Sequence, residues 1–147
     1  MQVDQDLFLQ IPLDSKQIIE LFTQATNWQE RYRQLMLLGK QLPRLPQEQR
    51  TPQAQVQGCE SDAWLYHCQY NRQHYYLGDS DARIVKGLIV LLLAAFNGKN
   101  TDEINAFDHD DYFEHLGLSG QLSPSRTNGL HALIKVIKYY ANAQIKS

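Results

Sequence analysis

The stretch "AWLYHCQYNRQHYYLG", Ala63 to Gly78, decides the fold class. Two aromatic-rich runs, "AWLYHCQY" and "QHYYLG", flank Asn71-Arg72. Aromatic side chains suit a pleated, half-buried surface, and a short polar pair between two such runs predicts a β-hairpin. Alternation puts Cys68 on one face with Trp64 and Tyr66, where it is expected to be a packing residue. His67 and Cys68 are neighbours on that strand, so they point to opposite faces and cannot share a metal. Ala54 to Gln57 could add a third short strand. Gly58 to Ser61 would then be a turn, with Cys59 at a loop tip.

Helical patterns surround the hairpin. Upstream, Ile18, Leu21 and Phe22 share one face of a first helix behind the capping candidates Asp14 and Ser15. A second opens with Asn27 and Glu30, a capping-box-like pair, carries Trp28, Tyr32, Leu35 and Met36 on one face, and is expected to stop at Gly39. Gln41 to Gln55 is rich in Pro, Gln and Arg without a helical period, which predicts a surface loop. Downstream, Asp79, Ser80 and Asp81 offer acceptors for a helix N-terminus, and the helix ends at Asn97-Gly98. Apolar residues cover most of its circumference from Ile84 to Phe96, as in a central buried helix. Gly87 inside it costs about 1 kcal/mol against alanine, so close backbone packing is expected there. Two short helices follow, from Thr101 and from Asp110, the second ending at Gly117. The last starts at Ser123-Pro124, a cap followed by proline at the first helical position. Its expected buried stripe is Leu130, Leu133, Ile134, Ile137 and Ala141. The fold class is therefore α+β, a small antiparallel sheet packed with helices.

Composition narrows the function. A chain of 147 residues, 43% hydrophobic and 20% charged, is most simply one globular domain spanning residues 1–147. Its net charge of −2 lacks the basic footprint of nucleic-acid binding. The acidic N-terminus is not a secretory signal, and the run from Gly87 to Phe96 is about half of a membrane span. Two cysteines and no export signal point to a reducing cytoplasm.

Two residues are candidates for chemistry. In "VQGCESDAWLY", Cys59 stands between a glycine and an acid, where its reactivity rather than its packing is at stake. The thiolate is the nucleophile, and Glu60 and Asp62 would raise its pKa, so a reactive Cys59 needs positive potential from elsewhere in the fold. Arg126, in "SPSRTNG", sits in the first turn of the final helix, where the helix dipole disfavours a cation by about 0.3–1 kcal/mol. An anion or a carboxylate partner would account for it. The five histidines, His67, His74, His109, His115 and His131, have no zinc-ligand spacing, and no glycine-rich phosphate loop is present. No metal and no cofactor are expected. A thiol hydrolase pairing Cys59 with a histidine, and a non-catalytic adaptor, stay open on these residues alone.

Three motifs taken together, "GCESDAW", "GDSDARIVKGL" and "LSPSRTNGL", resemble the SufE family of sulfur-acceptor proteins. The resemblance runs from about Trp28 onward, and "RQLMLLGKQLPRLP" and "RIVKGLIVLLLAAFNGK" look closer to the CsdE branch than to SufE proper. It implies a fold similar to the IscU scaffold. It also implies a partner, a pyridoxal-phosphate cysteine desulfurase of the SufS or CsdA type, which the acceptor stimulates. Sulfur would arrive as a persulfide on Cys59 and pass to a downstream acceptor or scaffold in iron–sulfur cluster assembly or a related pathway. The family's "SR" motif matches Ser125-Arg126 and its "GDSD" segment matches Gly78 to Asp81, whereas Cys68 matches nothing in the pattern.

Overall fold

A computed structural model describes residues 14–58 and 61–143. The elements run α1 (Ser15–Thr23), α2 (Trp28–Gln41), β1 (Ala63–Tyr70), β2 (Gln73–Ser80), α3 (Arg83–Phe96), α4 (Thr101–Ala106), α5 (His109–His115) and α6 (Pro124–Asn142). This is the α+β class read from the hairpin. β1 and β2 pair antiparallel, with Trp64 opposite Asp79, Tyr66 opposite Leu77 and Cys68 opposite Tyr75. The turn closes with Asn71 and Arg72 both at positive φ, 52° and 66°. That backbone matches the strand twist and is met here without a glycine.

Both faces of the hairpin are covered. Leu65 and Tyr76 face the main core around α3, whose residues from Gly87 to Phe96 are all buried. On the other face Trp64 and Leu77 pack with Leu45 and Ala54, and Tyr66, Cys68 and Tyr75 lie against that cluster. Cys68 is thus the packing residue its alternation predicts. Burial pushes its thiol pKa up, which suppresses the reactive thiolate.

Several boundaries differ from expectation. α2 does not stop at Gly39 but runs to Gln41. Gly39 serves packing instead: a Cβ there would lie 3.0 Å from the Arg83 carbonyl and the Gly87 amide. One on Gly87 would overlap the Leu35 carbonyl oxygen, so the two glycines let α2 and α3 cross almost backbone to backbone. Asn27 caps the Glu30 amide at 2.9 Å, but Glu30 turns to Arg33 rather than completing the box. Asp79, Ser80 and Asp81 do not cap α3 in the expected way. Asp79 and Ser80 end β2, Asp81 follows them, and the N-cap Ala82 has no side-chain cap. The third strand is a single bridge, Gln55 to Trp64. The 41–55 loop is less superficial than its composition suggests, because Leu42, Leu45 and Ala54 are buried. α6, by contrast, buries the five residues of its predicted stripe.

Histidines join the hairpin to α4 and α6. Thr101 Oγ1 donates to the Ala141 carbonyl (2.9 Å), so it accepts from His74 Nε2 (2.8 Å). His74 Nδ1 is then an acceptor and takes the proton of His67 Nε2, also at 2.8 Å. His67 stacks on Tyr140 at 5.1 Å, and burial, with a smaller contribution from His74, lowers its pKa from 6.5 to about 4. The neutral ring is the folded form. In the unfolded chain His67 takes up a proton near 6.5, so between that pH and about 4 unfolding binds a proton and stability falls as pH falls. Urea midpoints measured across that window should decline with acidification. His67→Gln, which keeps an amide donor for His74 but cannot take up a proton, should decline less. An equally steep profile in the variant would assign the acid sensitivity to other groups.

Candidate functional site

Cys59 and Glu60 lie outside the described residues, so the site is built from what flanks them. Upstream, Leu65 donates its amide to the Ala54 carbonyl and Val56 to the Ala63 carbonyl, both at 2.8 Å, which holds 54–56 along β1. Gly58 follows with φ +94°, a left-handed conformation that favours glycine. It rests on α6: a Cβ there would come within 3.3 Å of Ala132. Downstream, the Asp62 carbonyl accepts from Ser80 Oγ (2.6 Å) and the Asp81 amide (3.3 Å). Gln55 reaches across to the Asp62 carboxylate at 2.9 Å. Both approaches to residues 59–60 are thereby tied to the hairpin.

The loop that leads into the upstream tie is anchored by Arg50, although composition alone marks that loop as superficial. Its guanidinium donates to the Leu45 carbonyl, Asp81 and Asp79, and lies 4.8 Å over the Trp64 ring. Asp79 is fully buried and also accepts from the Leu45 and Ser80 amides, while Lys86 approaches it at 3.6 Å. A buried carboxylate is tolerated only when paired and hydrogen-bonded in this way. Half of this constellation is visible in the sequence as "GDSD". Its partner, one arginine among prolines and glutamines, carries no local signal.

Arg126 occupies the third position of α6, where its amide donates to the N-cap Ser123 Oγ at 3.3 Å. Among the described residues no carboxylate forms an ion pair with its guanidinium. The surface-pair explanation for this cation therefore finds no partner there. Arg126 lines a recess of about 380 Å³ together with Ser61, Ser123 and Ser125, above a floor that includes Ile84, Leu88 and Leu133. Positive charge, hydroxyls and apolar walls meet within one residue of the 59–60 segment. A second groove, about 600 Å³, runs along the other side of α6 and is lined by Gln57, Gly58, His131, Lys135 and Tyr139 among others. His131 shares this groove with Gln57 and Gly58. His67 and His74 are committed to each other, and His115 hydrogen-bonds within its own helix.

The profile of the family described as "SufE: Fe-S metabolism associated domain" matches residues 16–141. The chain belongs to the SufE family. Within that family it is 44% identical over 117 residues to the sulfur acceptor protein CsdE of Escherichia coli K12, covering 79% of this chain and 80% of that one. An uncharacterized SufE-like protein of Rhizobium etli is 41% identical over 132 residues, 87% of this chain and 89% of the other. The fold also matches the solution structure of a hypothetical protein from Thermus thermophilus. The TM-score is 0.68 over 86% of this chain and 92% of that one, and at 19% identity the likeness speaks for the fold alone. No helix among the described residues is long and apolar enough to cross a membrane.

Proposed function

We propose that this SufE-family chain is a sulfur acceptor that takes persulfide sulfur from a cysteine desulfurase onto Cys59 and hands it to a downstream acceptor in cluster assembly or a related pathway. The observation that carries the reading is the recess on the downstream side of Cys59, where Arg126 and Ser61 meet and where Arg126 has no ion-pair partner among the described residues. The relative named a sulfur acceptor, 44% identical, supports it. A desulfurase of the SufS or CsdA type suits the role of donor, and its pyridoxal phosphate stays with the donor.

The transfer is an exchange at sulfur. The Cys59 thiolate attacks the outer sulfur of the donor's persulfide. A new S–S bond forms on Cys59, the donor's S–S bond breaks, and the donor cysteine leaves as a thiolate. Neither an electron nor an oxidant is consumed overall. The step needs Cys59 deprotonated, and Arg126 supplies the positive potential that Glu60 and Asp62 oppose. A unit charge about 4 Å from the thiolate is worth about 4 kcal/mol at an effective dielectric near 20, before desolvation. A fraction of that shifts a thiol by one pKa unit.

Incubation with a desulfurase and free cysteine should add the mass of one or more sulfur atoms, removable by reductant. Arg126→Ala should slow that gain about tenfold or more while leaving the melting temperature nearly unchanged. Arg126→Lys should recover most of the rate if charge alone matters and only part if the planar fork does. The alkylation rate of Cys59 against pH separates the two ways Arg126 could act. Slowed transfer with an unshifted Cys59 pKa would leave docking as its role, and unchanged transfer would remove Arg126 from the mechanism.

A further inference from the structure

The 600 Å³ groove has a charge pattern that the sulfur chemistry does not use. Asn128, His131, Lys135 and Tyr139 succeed one another at helical spacing along α6 and form one of its walls. Opposite them stand Gln53 and Gln57, side chains that can donate or accept, and Gln55, whose amide nitrogen already donates to Asp62. α6 carries Arg126, Lys135 and Lys138 and no carboxylate, although the whole chain has a net charge of −2. The balancing acids are segregated elsewhere: α4, α5 and the turn between them carry Asp102, Glu103, Asp108, Asp110, Asp111 and Glu114 with no lysine or arginine, all six exposed. Among the described residues no carboxylate forms an ion pair with Lys135. Tyr139, 69% exposed, is a large amphipathic ring left in solvent at the groove's far end. Tyrosine is among the residue types in which binding energy concentrates at protein interfaces, and a lysine without an ion-pair partner attracts its opposite.

We propose that this groove, from Gly58 to Tyr139, is the docking surface for an acidic stretch of the donor protein's surface, with Lys135 meeting its carboxylates and Tyr139 packing at the rim. The inference rests on the sulfur-acceptor reading, since it takes the donor as the occupant. Its logic is geometric. A partner delivering sulfur to residue 59 must cover the ground beside residue 58, and on that side the ground carries Lys135, is amide-lined and is floored by Ala132 and Val136. The acidic α4–α5 region would stay clear of an acidic donor, so the charge segregation also selects the orientation of approach.

Lys135→Glu should raise the acceptor concentration giving half-maximal transfer about tenfold at low salt, and the gap from wild type should narrow as ionic strength rises. Tyr139→Ala should raise it in a manner insensitive to salt. Asp102→Lys, a charge change of the same size on the acidic side, should not raise it. Wild-type protein that gains no sulfur would overturn the acceptor function and this surface with it. Sulfur gain that proceeds normally yet is indifferent to both Lys135→Glu and Tyr139→Ala would overturn the surface alone. Sedimentation of the protein by itself supplies the remaining arm. A self-associated wild type that Lys135→Glu dissociates would identify a second copy, offering its α4–α5 acids, as the occupant and overturn the donor assignment.

Discussion

Cys59→Ser is expected to take up no sulfur from a cysteine desulfurase, whereas Cys68→Ser takes it up at close to the wild-type rate. The contrast is chemical before it is structural. A serine hydroxyl has no accessible anion at neutral pH and forms no persulfide, so the loss is complete rather than partial. Cys68 is a poor substitute on two grounds. Its thiol is pushed toward the protonated form by burial, and it stands in the strand face beside Trp64, Tyr66 and Tyr75. Digestion of the sulfur-loaded protein without reductant, followed by peptide mass measurement, locates the added atom. Sulfur on the Cys68 peptide would overturn the assignment of Cys59.

The largest expected loss of stability is at Gly87, not at the proposed site. Gly87→Ala gains about 1 kcal/mol of helix propensity. It then drives a Cβ into the Leu35 carbonyl oxygen of α2, a backbone atom that cannot rotate aside. Overpacking in a dense core costs about 1–3 kcal/mol and more where the obstacle is rigid, so a net loss of about 3 kcal/mol is expected. Gly98→Ala is the useful comparison, because nothing lies within 4 Å of its Cβ position and only its φ of +78° resists the change. It should cost about 1–2 kcal/mol. Urea unfolding of both variants tests the ranking. A Gly87→Ala protein as stable as wild type would mean that α2 and α3 can separate without penalty.

Much of this was legible in the sequence, for a consistent reason. The hairpin, α3 and α6 each announce themselves through side-chain periodicity, and the stripe from Leu130 to Ala141 is buried as the spacing requires. What misled was residue type without context. Glycine ends helices and also permits close crossings, and Gly39 does the second. Aspartate and serine cap helices and also end strands, as at Asp79 and Ser80. The Arg50–Asp79 pair spans 29 residues and has no periodic signature at all. Of the site, Arg126 could be singled out because it violates the helix-dipole rule within its own segment, so a local misfit pointed at it.

Asp79 has a further consequence for what the "GDSD" segment can be. An ionised carboxylate offers about four lone-pair sites. Here the Leu45 amide and Arg50 occupy one oxygen, and the Ser80 amide and the Lys86 ammonium attend the other. Three of those sites are filled by hydrogen bonds, and the lysine at 3.6 Å balances the charge, so the carboxylate is committed to holding the fold. Asp79 is therefore a joint, spliced between the loop, the strand and the following helix. Its work is structural, and a base for sulfur transfer is to be sought among other groups.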